Sequence, residues 1–131
     1  MKTWKARAVA LAGTMLWIAG GTGASAHEKA STAPPAYYVA EFEITNPEGM
    51  KPYSAKVEST FIPYGGHFVV RGGKYVPLEG NAPKRKRVVI EFESVEKAMA
   101  WYNSPEYSDL RKLRQQSANT DVYVVEGVVS Q

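Results

Sequence analysis

Four short runs of this chain alternate apolar and polar side chains, and the order in which helix-period segments interrupt them restricts the fold more than any other feature. The first, YYVAEFEI at residues 37–44, sets Tyr38, Ala40, Phe42 and Ile44 on one face and Tyr37, Val39, Glu41 and Glu43 on the other. Asn46 and Pro47 then offer a cap and a first-turn proline, and Met50, Tyr53, Val57 and Phe61 recur at helical spacing. Pro52 would interrupt a helix interior, so the regular helix is expected from near that residue to about Ile62. Pro63, Gly65 and Gly66 end it, and HFVVR at 67–71 is a second strand.

Gly72 and Gly73 interrupt that strand as a bulge or bend. KYVPLE at 74–79 then reads as extended again, with Pro77 pointing to a sheet edge. GNAP is a turn. KRKRVVIEFE is the third strand, with Val88, Ile90 and Phe92 on one face. Ser94 caps a second helix with the stripe Val95, Ala98, Met99 and Tyr102. Ser104 and Pro105 restart a helix through PEYSDLRKLRQQ, and VYVVEGVV at 122–129 is the last strand. Strand, helix, strand, strand, helix, strand is the ferredoxin-like βαββαβ unit: an α+β domain over residues 37–129, an antiparallel sheet with its helices on one face.

One sheet face is left uncovered in that arrangement. Alternation puts Glu41, Glu43, His67, Arg71, Arg87 and Glu91 there, together with Val69, Val89, Tyr123 and Val125. The mixture is too apolar for an ordinary wet surface and too charged for a core. A second copy stacking its own sheet there would bury the apolar members and pair the charges, which predicts a homodimer.

Ahead of the domain, the chain opens with Lys2, Lys5 and Arg7, an apolar run from Val9 to Ile18, and the small residues Ala24, Ser25 and Ala26. These are the three regions of a secretory signal peptide, with cleavage expected after Ala26 and a periplasmic or secreted destination. The apolar part is too short to span a bilayer. Residues 27–36, HEKASTAPPA, read as a flexible leader. The chain has 131 residues and a net charge of +3, from 16 Lys and Arg against 13 Asp and Glu. Three of the bases lie in the first 26 residues, so the remaining 105 are balanced, and charge gives no support to a nucleic-acid partner. There is no cysteine, hence no disulfide.

The stretches GGHFVVRGG, RVVIEFES and AWYNSPEYSDLRKLR, with a last strand ending VVEG, resemble the uncharacterised bacterial family known as domain of unknown function thirteen-thirty. The resemblance runs from Tyr37 to Gly127 and implies a dimeric α+β barrel, two ferredoxin-like subunits packed sheet on sheet. Its superfamily includes cofactor-independent monooxygenases, muconolactone isomerases and haem-binding dismutases, so it implies a fold and no single activity.

Chemistry-bearing motifs are few. GGHFVVRGG is not a phosphate cradle, because its glycines flank a strand and no helix follows. Four residues are two strand periods, so His67 and Arg71 are expected on one face. Two readings stand for them: an ion-pair network with Glu41, Arg87 and Glu91 that sets dimer register, or a ligand pocket with Arg71 as anion clamp and His67 exchanging protons. Trp101 and Tyr107 bracket the NSP break and are candidate aromatic pocket walls. Lys84–Arg87 reads as a solvated strand entrance with Arg87 turned inward, and Arg111, Lys112 and Arg114 as complements to a helix dipole. His27 and His67 are the only histidines, which gives no metal-ligand pattern, and no cofactor or nucleophile motif is present. The expectation is an exported homodimer that binds a small anionic or aromatic molecule between sheet and helices. The alternatives are a cofactor-independent monooxygenase- or isomerase-like enzyme with His67 as general base, and a structural or stress-related dimer without ligand.

Overall fold

A computed structural model of the chain describes residues 33–131, so the expected signal peptide and most of the leader lie outside the described residues. In chain order the elements are β1 (Ala36–Ile44), α1 (Pro47–Phe61), a 3-10 turn (Ile62–Tyr64), β2 (His67–Arg71), β3 (Lys86–Phe92), α2 (Val95–Tyr102), α3 (Pro105–Ser117) and β4 (Ala118–Glu126). The four strands form one sheet in the order β2-β3-β1-β4, with every neighbouring pair antiparallel. This is the ferredoxin-like α+β fold that the element order predicts. Among the described residues, no helix is long and apolar enough to cross a membrane.

The helices start where side chains satisfy their orphan amides. Asn46 Oδ1 accepts from the Gly49 amide at 3.0 Å, Ser94 Oγ from Lys97 at 3.2 Å and Ser104 Oγ from Tyr107 at 3.3 Å. With Asn46 as cap and Pro47 in its first turn, α1 is already helical at Pro47 and carries Pro52 inside it, not at its start. Proline removes one interior amide there, and the carbonyl that it would have served belongs to Glu48, an exposed residue of the first turn. Gly65, at φ 75°, closes the end of the turn. Gly66 is needed for space, since a Cβ there would lie 2.7 Å from Phe92 Cε1.

One layer of side chains fills the space between sheet and helices. Tyr38, Phe61, Ile90, Phe92, Trp101 and Tyr107 are its largest fully buried members. In α2 the buried stripe runs through Ala98 and Trp101, while Met99, expected in the stripe, is 40% exposed. β4 begins at Ala118, four residues before its apolar run, because the polar segment there pairs with β1 from Ile44 to Phe42. Pairing overrides intrinsic preference at that point.

Residues 74–79 do not return to the sheet. β2 is an edge strand, and the chain from Gly72 to β3 carries no strand. Pro77 lacks an amide to donate, and the segment is held instead by the Tyr75 hydroxyl donating to the Arg85 carbonyl at 2.8 Å.

The bulge of β2 lies at Val69 and not at the glycine pair. His67 faces Glu91 and Phe68 faces Ile90, but after the shift Val70 faces Val89 and Arg71 faces Val88. One extra residue on one strand reverses the alternation beyond it. His67 is therefore on the helix-free face with Glu91, and Arg71 is on the helix side with Phe68. The expectation that they share a face is wrong for this reason.

Candidate functional site

The helix-covered face is not filled to its end. Between the β1–β3 ladder and α1 there is a cavity of about 240 Å³, lined by Tyr38, Tyr53 and Arg114 in its depth, by apolar side chains such as Met50, Phe68 and Val88 along its walls, and by Arg71 and Lys86 at its mouth. Tyr38 and Ile90 at the inner end are 1% exposed, whereas Ile44 at the outer end is 37% exposed. The cup thus runs from a dry floor to a wet rim.

Its floor is built from a hydroxyl cluster and one cation. Tyr107, fully buried, shares hydrogen bonds with the Tyr38 hydroxyl at 3.1 Å and the Tyr53 hydroxyl at 3.2 Å. Arg114, only 3% exposed, donates from Nη1 to Thr120 Oγ1, and its Nε–H is buried without a partner. It forms no salt bridge among the described residues. Burial alone would lower its pKa, but the neighbouring phenols Tyr38, Tyr107 and Tyr53 carry it upward, and the guanidinium stays charged. A buried cation with a free donor in a mostly apolar cup is a binding element for an anion.

Burial, and then the neighbouring phenols, push the Tyr38 and Tyr53 pKa values well above the ordinary phenol range. At neutral pH both are hydrogen-bond donors and not bases. A raised folded-state pKa means that the folded chain holds its proton where the unfolded chain has lost it. Stability is then complete below about pH 10 and falls as pH rises further, by up to ~1.4 kcal/mol per pH unit per tyrosine. Urea unfolding across pH 9–11.5 is expected to show this loss, and Tyr53→Phe is expected to flatten it. An equal slope in the variant would contradict the assignment.

The residues singled out from sequence are distributed differently from expectation. Arg71 does reach the cup. Its guanidinium lies 4.5 Å from the centre of the Phe68 ring, and it meets Glu58 and the Ser54 carbonyl only at 3.5 Å. His67 is on the other face, 3.8 Å from Glu91, and so cannot serve as a base inside the cup. The network expected around Arg71 is replaced by separate pairs, His67 with Glu91 and Arg87 with Glu41 (Nε to Oε1, 3.1 Å). Trp101 and Tyr107 are not walls: both are 0% exposed and packed on each other with ring centres 4.0 Å apart. The two rings therefore fill the core beside the NSP break and line neither the cup nor the surface.

Arg114, Tyr38 and Tyr53 were the residues missed. Arg114 lies in the last turn of α3, where its charge complements the helix dipole as expected, but its side chain is buried there, and Arg111 reaches the Tyr102 carbonyl that ends α2, at 3.5 Å. A signal did exist in the spacing: Tyr107, Leu110, Arg114 and Ser117 are the buried stripe of α3, with an arginine where the pattern calls for an apolar side chain.

The family model described as domain of unknown function (DUF1330) matches residues 35–128. No curated protein matches the chain. Among solved structures, a protein of unknown function from Rhodopseudomonas palustris is similar at 19% identity and a TM-score of 0.57, over 74% of this chain and 85% of that one. SnoaB, a cofactor-independent oxygenase from Streptomyces nogalater, is similar at 14% identity and a TM-score of 0.51, over 76% of this chain and 96% of that one. Both likenesses are likenesses of fold.

Proposed function

The chain belongs to the DUF1330 family, and from that premise, which prescribes no activity, we propose that it binds a small organic anion with an apolar body in the cup between sheet and helices. The observation that carries this reading is Arg114, a buried guanidinium with a free Nε–H and, among the described residues, no carboxylate partner. A carboxylate on the ligand would neutralise it and accept one further hydrogen bond from the hydroxyl cluster, because the two bonds through Tyr107 use two of its three protons. The apolar walls would take the rest of the molecule.

The reading extends to the assembly and its location. Val69, Val70, Tyr123 and Val125 on the helix-free face are 39–49% exposed, and a second sheet stacked there would bury them between the flanking Arg87–Glu41 and His67–Glu91 pairs. The amino-terminal pattern supports export with removal of residues 1–26, which leaves the dimer outside the cytoplasm.

Native mass spectrometry of the protein purified from its own source tests all three parts. The expected result is two chains that each begin at His27, plus a small mass that is lost on denaturation. Chains that begin at Met1 would sink the export reading, and monomers would sink sheet pairing. Failure of any small carboxylate to bind or to stabilise the purified protein would sink the anion site.

A further inference from the structure

The cup has positive charge at both ends, and we infer that its ligand is a two-headed anion: an apolar, ring-sized body with one carboxylate at the floor and a second anionic group at the mouth. This rests on the anion-binding reading above and specifies the ligand class.

Arg71 and Lys86 both line the mouth. Lys86 forms no salt bridge among the described residues, and the one carboxylate that Arg71 meets among them is Glu58, a long contact like that to the Ser54 carbonyl, with Arg71 and Glu58 about half exposed (53% and 52%). Such an exposed pair contributes little and gives way readily to a better acceptor. Stacking on Phe68 holds the Arg71 guanidinium at the rim. Arg71 therefore has a fixed position and a weak partner, which suits a ligand contact.

The spacing follows from the sheet. Tyr38, at the floor, is on β1, and Arg71 is on β2, with β3 between them. Arg71 lies opposite Val88 and Ala40, two residues along from the level of Tyr38, so two strand spacings across and two residues along set the ends ~12 Å apart. A volume of about 240 Å³ exceeds the ~150 Å³ cavity that accepts benzene by enough for a short arm. One ring with an acid-bearing arm, and a second acid opposite it on the ring, spans that distance.

Three probes decide the matter by calorimetry on the purified protein: 3-(4-carboxyphenyl)propanoate, its methyl counterpart 3-(4-methylphenyl)propanoate, and 3-phenylpropanoate. The diacid is expected to bind about tenfold more tightly than the methyl compound, the size of one charge-assisted contact. That ratio is expected to fall to near one in the Arg71→Gln Lys86→Gln double variant and to persist in Arg114→Gln, where all three probes weaken together. A ratio near one in the unaltered protein, with binding still dependent on Arg114, would overturn the two-headed class and leave the anion site standing. A ratio that survives loss of both rim cations would also overturn it. No binding of any probe would overturn both readings.

Discussion

Replacing Arg114 with methionine is expected to weaken binding of 3-phenylpropanoate by about a hundredfold or more and, at the same time, to raise the stability of the unliganded fold. Removing the charged partner from a desolvated contact costs ~2–5 kcal/mol of affinity. The stability change has the opposite sign because of what Arg114 lacks. A buried cation without a counter-ion among the described residues is a net cost to the empty protein, and methionine fills the same stripe of α3 with an apolar side chain. The tyrosine cluster survives the change, since Tyr107 still holds both Tyr38 and Tyr53. A gain of about 1–3 kcal/mol in urea unfolding is expected. Arg114→Lys keeps the charge but not the planar fork, so it is expected to lose affinity without gaining stability. The decisive contrary result is a methionine variant several kcal/mol less stable than the parent, which would make Arg114 a structural strut and remove the case for an anion site.

Trp101→Ala is the second large effect, and it acts on the fold alone. The indole is the hub of the buried aromatic cluster: its ring centre is 4.9 Å from that of Tyr38, 5.5 Å from Phe92 and 5.9 Å from Phe61, besides the close contact with Tyr107. Its Nε1–H donates to Thr60 Oγ1 at 2.9 Å, which ties α2 to α1. Truncation at such a site is expected to cost about 3–5 kcal/mol, a large share of the ~5–15 kcal/mol that holds a domain together. Should the alanine variant fail to fold, Trp101→Phe, expected to cost ~1–2 kcal/mol, carries the same test by urea denaturation. A near-neutral Trp101→Ala with full ligand affinity would mean that the aromatic cluster is not the keystone described, and a selective loss of affinity without loss of stability would return Trp101 to the role of pocket wall.

How far the site could be read from sequence differs residue by residue. Arg71 was legible as a ligand-facing candidate, but its pairing with His67 came from counting strand periods through a bulge that the residue types at 67–71 do not announce. Trp101 and Tyr107 were legible as large aromatics at a helix break. Whether such a pair lines a pocket or fills a core depends on how closely the two helices approach, and local spacing carries no information about that distance. Arg114 was hidden by its company, since Arg111 and Lys112 beside it are ordinary surface cations and only its place on the stripe of Tyr107, Leu110 and Ser117 sets it apart.

The amino-acid sequence by itself determined the order of elements, their caps and the face that β1, β3 and β4 turn to the helices, because periodicity, Asn46, Ser94 and Ser104 act over a few residues and need no distant partner. Which cations meet in one cup was decided only by the tertiary structure. The bulge at Val69 turns Arg71 inward relative to β3, and the packing of α3 on α1 and the sheet buries Arg114 beside three tyrosines drawn from β1, α1 and α3. Burial and register are properties of the assembled layers, and no single segment contains them.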